Sequence, residues 1–135
     1  MRSIVRFLVV GGFLAALSPL QASAFSLEFE WGNIALCDTG SPNTVPNPTF
    51  RLKNVPKGTK FINFSLTDLD VPSYNHGGGT VAYTGQGEIK PGAFTYESPC
   101  PPSGSHTYEW TAKGQDGDGF FSGTTGSAKA SKSYP

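Results

Sequence analysis

Two histidines and two closely spaced aspartates are the residues of this chain whose side chains could carry chemistry. His76 and His106 are its only histidines, and both stand beside turn-forming residues. Asp68 and Asp70 close the most apolar alternating segment and run into Val71-Pro72. An imidazole can donate hydrogen bonds to an anion's oxygens, and a carboxylate can orient that imidazole by accepting its other N–H. Strand ends and the loops beyond them are where a rigid sheet presents such groups. The same residues have plainer uses. Asp-x-Asp before proline often only makes a turn, and a lone histidine is often only a hydrogen-bonded surface residue. His76, His106 and Asp68, together with Asp70, could also serve as ligands to a metal ion.

Other motifs carry less. His76-Gly77-Gly78-Gly79 resembles an esterase oxyanion loop, but that chemistry needs a G-x-S-x-G nucleophile elbow and the sequence has none. Asp116-Gly117-Asp118-Gly119 hints at calcium, yet no glutamate follows residue 109 to complete an EF-hand loop. Asn63-Phe64-Ser65 fits a glycosylation sequon but falls inside an expected strand. No catalytic constellation remains, and the chain reads as a non-enzyme without a cofactor.

The elements that must position these residues are strands. Leu27, Phe29 and Trp31 alternate with polar neighbours in Ser26–Trp31. Ile62, Phe64 and Leu66 do so in Phe61–Asp68, and Tyr108, Trp110 and Ala112 in Thr107–Lys113. Alternation means half-buried strands, because successive side chains point to opposite faces. Thr49–Lys53, Thr80–Thr84 and Ser127–Tyr134 are shorter candidates. Thr39–Pro48, Pro56–Gly58, Gly77–Gly79, Lys90–Gly92, Pro99–Gly104 and Gly114–Gly126 read as turns, with the last a mobile loop. Short strands divided by turns predict an all-β, single-domain sandwich.

The first residues predict export. Arg2 and Arg6 precede an apolar run, Phe7–Leu17, and Ala22-Ser23-Ala24 is a small-x-small cleavage site before Phe25. The run is shorter than the ~20 residues that span a bilayer. Residues 1–24 thus read as a signal peptide and 25–135 as the working domain, periplasmic or secreted, with no anchor after cleavage. Without Arg2 and Arg6, eight basic residues stand against ten acidic ones. Nothing clusters them into the basic face that nucleic acid requires. Cys37 and Cys100 are an even pair in an exported chain, which favours a disulfide over two buried free thiols. It would close a loop of about 64 residues, worth about 4 kcal/mol in the chain-entropy treatment.

The order of motifs resembles a known family. Pro56-Lys57-Gly58-Thr59 leads into a strand and then Asp68-Leu69-Asp70-Val71-Pro72. His76 follows, and later Cys100-Pro101-Pro102-Ser103-Gly104-Ser105-His106-Thr107-Tyr108. This is similar to the phosphatidylethanolamine-binding, or Raf-kinase-inhibitor-like, proteins, especially their bacterial branch. The likeness runs from about residue 41 to 113. Leu69 stands where that family usually has proline, Thr107 where arginine is common, and Gly77–Gly79 where bulky residues are usual. The family's C-terminal helices have no counterpart.

The resemblance implies an antiparallel β-sandwich of Greek-key type with a small anion pocket built from Asp68, Asp70, His76, Pro101, His106 and Tyr108. It implies a phosphate- or carboxylate-bearing ligand, such as a phospholipid headgroup, or alternatively a protein partner such as a protease that the chain inhibits. Asp68 should lie within reach of a histidine despite its distance in sequence. The glycines at 77–79 should leave the pocket more open than in fuller relatives. Binding through imidazolium should weaken as pH rises through the usual histidine range, around 6.5.

Overall fold

A computed structural model describes residues 11–12, 15–19 and 23–135. Most of the expected signal peptide, residues 1–10, 13–14 and 20–22, lies outside the described residues. Nine strands and no helix are found among those described. They are β1 (Ser26–Glu30), β2 (Thr44–Pro46), β3 (Thr49–Lys53), β4 (Phe61–Asp68) and β5 (Asn75–Ala82), then β6 (Glu88–Ile89), β7 (Thr95–Glu97), β8 (His106–Gln115) and β9 (Thr124–Tyr134).

Every ladder is antiparallel. One sheet has the order β5-β4-β8-β9, a second β1-β3-β6, and β2 pairs with β7 as a ribbon. After β5 the chain leaves the first sheet, lays down β6 and β7 in the other ladders, and returns as β8 beside β4. That non-consecutive pairing makes the core depend on both ends of the sequence.

The period of two decides what is buried. Leu27 and Phe29 of β1 and Phe50 and Leu52 of β3 face Ile62, Phe64 and Leu66 of β4 and Tyr108, Trp110 and Ala112 of β8. Phe50 stacks on Phe64 at 4.3 Å between ring centres, and Trp110 meets Phe50 edge-on at 5.0 Å. Aromatic pairs of this kind add about 0.5–1.5 kcal/mol each beyond the area they bury. Tyr96 of the β2-β7 ribbon meets the same indole edge-on at 5.0 Å, so the ribbon closes one side of this core.

A buried asparagine ties the loops to the sandwich. Asn47 accepts hydrogen bonds on Oδ1 from the amides of Gly92, Ala93 and Phe94, and donates from Nδ2 to the carbonyls of Pro48 and Lys90. Its amide is thereby satisfied, which makes so buried a polar group tolerable.

Three expectations are corrected. Gly77–Gly79 are not a turn but the middle of β5. A Cβ on Gly78, whose φ is 156°, would meet the Phe64 carbonyl oxygen at 1.9 Å, and one on Gly79 would meet the Phe94 ring at 2.5 Å. Close backbone approach and the ring of Phe94 require glycine here, which overrides its poor strand propensity. The loop expected at 114–126 shrinks to the residues between Gln115 and Thr124. Asp116 closes its base by accepting the Gly123 amide at 2.7 Å. At its tip Phe120 and Phe121 are exposed. The first strand ends at Glu30, one residue before Trp31, whose ring instead packs against Phe29, Tyr108 and Tyr134.

Candidate functional site

The inward files of β4 and β8 do not end in apolar residues. Along β4 the buried positions are Ile62, Phe64, Leu66 and then Asp68, which is only 4% exposed. Along β8 the same face carries Trp110, Tyr108 and then His106. Asp68 and Tyr108 are register partners. The polar residues are therefore the last rungs of the ladder that makes the core, and the sheet delivers them to one end of the sandwich.

Asp68 is held from three directions. Its Oδ1 accepts the backbone amides of Asp70 at 2.8 Å and Val71 at 3.2 Å, an Asx turn that ends β4. Its Oδ2 accepts Nδ1 of His106 at 2.7 Å. Burial raises its pKa, but the hydrogen bond from His106 and those from the two amides outweigh burial, and the carboxyl is held below its usual range. Asp68 is thus a carboxylate near neutrality, and His106 carries a proton on Nδ1. The other ring nitrogen, Nε2, is left for a ligand.

His76 is 3% exposed. Its Nδ1 donates to the Glu97 carbonyl at 2.8 Å, since a carbonyl can only accept. Its ring meets Tyr108 edge-on at 5.4 Å. Burial, and then the charge of Asp68, push the Tyr108 phenol above its usual range, so its hydroxyl stays protonated and can donate.

Asp68, His76, His106 and Tyr108 all line one cavity of about 110 Å³, together with Gly40, Pro42, Val71, Tyr74, Cys100 and Pro102. That volume is well below the ~300–1,000 Å³ of drug-sized sites. It suits a small group. No lysine or arginine lines it, so its only source of positive charge is an imidazole.

Two expected site residues stand beside the cavity without lining it. Asp70 does not line the cavity. Its Oδ2 accepts the Thr107 amide at 2.8 Å and pins the start of β8 to the turn after β4. Pro101 is fully buried behind the wall, and its neighbours Cys100 and Pro102 form the lining. Gly77–Gly79 are not among the lining residues either, so they do not open the cavity as expected. Gly40, Pro42, Val71 and Tyr74 went unread. Only the cysteine pairing hinted that residues near 40 would come close to Cys100.

The cysteines are bridged, 63 positions apart in sequence. A metal set also differs from the expected one. Asp68, Asp70 and His106 offer ligand atoms within 4.8 Å of one another, and His76 is not part of the group. Those atoms already hold one another and the backbone, through His106 on Asp68, two amides on Asp68 and the Thr107 amide on Asp70. An ion bound there would have to displace those bonds.

The fold has a known counterpart. The structure is similar to the crystal structure of a protein from Chlamydia trachomatis described as a homolog of phosphatidylethanolamine-binding proteins. The match has a TM-score of 0.57 at 16% sequence identity, and covers 83% of this chain and 97% of that one. The shared property is the all-β fold. No protein-family model matches the sequence. No curated protein matches it either.

Proposed function

We propose that this chain is an exported, non-enzymatic binding protein of the phosphatidylethanolamine-binding type. Its end-of-sandwich cavity would take a small phosphate- or carboxylate-bearing group, such as a phospholipid headgroup. The observation that supports this most is the orientation of His106. Asp68 fixes Nδ1, leaving Nε2 with His76 and Tyr108 around a cavity sized for a small group. A protonated imidazole and a phenol are donors, which suits an anion's oxygens. Tyr74, Val71 and the proline walls supply apolar contact around that polar end.

The buried negative charge of Asp68 opposes a second anion. Binding therefore requires positive charge on an imidazole to offset it, which makes affinity modest and pH-dependent. The groups that set the local field are Asp68, Asp70, His76, His106 and Tyr108. The disulfide is the kind of cross-link that persists in exported proteins, and the charge pattern of residues 1–24 supports secretion to the periplasm or beyond.

The test is a titration with inorganic phosphate and with phosphoethanolamine, read from the ring proton signals of the two histidines. Saturable shifts at pH 6 that are lost in His106→Ala support the reading. Histidine signals that do not respond to either compound would reject it.

A further inference from the structure

One wall of the cavity is a strap. Between β1 and β2 the chain runs without strand from Trp31 to Asn43. Its ends are fastened by backbone and side chain. The Trp31 indole donates to the Ser133 carbonyl at 3.0 Å, and the Tyr134 hydroxyl to the Ala35 carbonyl at 2.9 Å. At the far end Asn43 exchanges bonds with Ser98, through the Asn43 amide to Ser98 Oγ at 3.2 Å and the Ser98 amide to the Asn43 carbonyl at 2.8 Å. Between these fastenings lie Gly40 and Pro42, which wall the cavity. Among the described residues, the covalent tie from that middle stretch to the sandwich is the Cys37–Cys100 bond, with a weak sulfur contact of 3.7 Å from Thr39 to Cys100 and the close approach of Gly40 to the Pro102 ring beside it.

The two sulfurs face different surroundings. Cys100 is 5% exposed and lines the inner cavity with Asp68, His76, His106 and Tyr108. Cys37 is half-buried and lines a separate outer groove of about 290 Å³ with Leu36, Asp38, Gly104 and Pro135. The bridge is a partition between a ligand cavity and an outer groove.

We infer that the Cys37–Cys100 disulfide is a redox latch on the cavity. The inference rests on the reading of that cavity as a ligand site. A dithiol reductant can reach Cys37 from the outer groove. Its thiolate attacks Cys37 Sγ, the Cys37–Cys100 bond breaks, and Cys100 leaves as a thiolate that takes up a proton. The reductant's second thiol then displaces Cys37 as a thiol and leaves as its own disulfide. Two electrons and two protons pass to the protein. The strap loses its middle fastening, Gly40 and Pro42 move off the cavity, and water enters. Oxidation restores the wall.

The experiment compares the oxidised chain, the dithiothreitol-reduced chain and Cys37→Ser. Phosphate affinity is read from the histidine signals, and opening from amide hydrogen exchange. The latch predicts at least a tenfold weaker phosphate affinity after reduction and in Cys37→Ser. It also predicts that reduction speeds exchange at residues 37–42 far more than in β4 and β8, and that affinity and exchange recover on reoxidation. If the oxidised chain binds phosphate and the reduced chain binds equally well, the latch is overturned while the site stands. If exchange rises equally through β4 and β8, the bridge is only a fold staple and the latch is overturned. If the oxidised chain binds no phosphate, the site reading fails. The latch then stands or falls on whether exchange at 37–42 responds to reduction.

Discussion

Replacing Asp68 by asparagine keeps the shape of the side chain and removes its charge. The two amides of Asp70 and Val71, at 2.8 and 3.2 Å, will still claim an oxygen, so the new amide nitrogen must face His106. Two donors would then meet across the 2.7 Å gap, and His106 must move its proton from Nδ1 to Nε2 to accept instead. A hydrogen bond to a charged group is worth about 1.5–3 kcal/mol, against about 1 for a neutral one. Losing charge assistance on the His106 bond and part of it on the amides gives about 2–3 kcal/mol at pH 7, on the order of 10 °C in Tm for a domain of this size.

The sign of the pH dependence follows from the lowered pKa of Asp68. A carboxyl held below its unfolded value stabilises the fold above about pH 4, and that contribution is lost as pH falls through the folded value. The wild-type advantage should therefore be full at pH 7 and shrink below pH ~4. Urea denaturation of both proteins with the disulfide intact, followed by circular dichroism from pH 7 to 2, measures it. Nitrogen chemical shifts of His106 report the tautomer. A stability difference that does not change with pH, or a tautomer still protonated at Nδ1, would refute the reasoning.

Three further outcomes are expected. Tyr96→Phe should leave stability unchanged or raise it by about 1 kcal/mol in a urea titration, because the buried hydroxyl has no hydrogen-bond partner to lose. Gly78→Ala should cost more than about 3 kcal/mol in the same assay, because its Cβ would overlap the Phe64 carbonyl at an unfavourable φ. The intact mass of protein recovered from an exported fraction should correspond to a chain starting at Phe25 with no thiol open to labelling until reductant is added. A species starting at Met1 would contradict cleavage, and two reactive thiols would contradict the bridge.

The sheets were legible where one face is apolar and the other polar. Phe61–Asp68 and Thr49–Lys53 coincide with β4 and β3 because their alternation is unbroken. β8 and β9 proved longer than their apolar cores, since hydrogen bonding continues through Gly114 and Gly126 to the next rung. β5 was misread because three glycines look like a turn in sequence. Only the packed Phe64 backbone and the Phe94 ring show why a strand needs them. β2, β6 and β7 are two or three residues long, too short for any period to register.

The site divides in the same way. Asp68, His76, His106 and Tyr108 were readable from motif order, and the sheet brings them together. Asp70 and Pro101 were assigned to the ligand from the same motifs. In the structure one caps β8 and the other is buried, because a motif marks residues needed for folding as well as for binding. The expected Cys37–Cys100 bridge placed the chain near residue 40 beside Cys100, but the hydrogen bonds that fasten the strap at Ala35 and Asn43 leave no pattern in the sequence.

The central claim is that the imidazoles around the Asp68–His106 pair make this cavity an anion site. Its most direct test is the phosphate affinity of the oxidised chain between pH 5.5 and 8, in wild type and His106→Ala. The account predicts saturable binding that is stronger at the acid end of that range than at the alkaline end, and that loses most of that dependence without His106. Affinity that is flat with pH, or unchanged in His106→Ala, would contradict it.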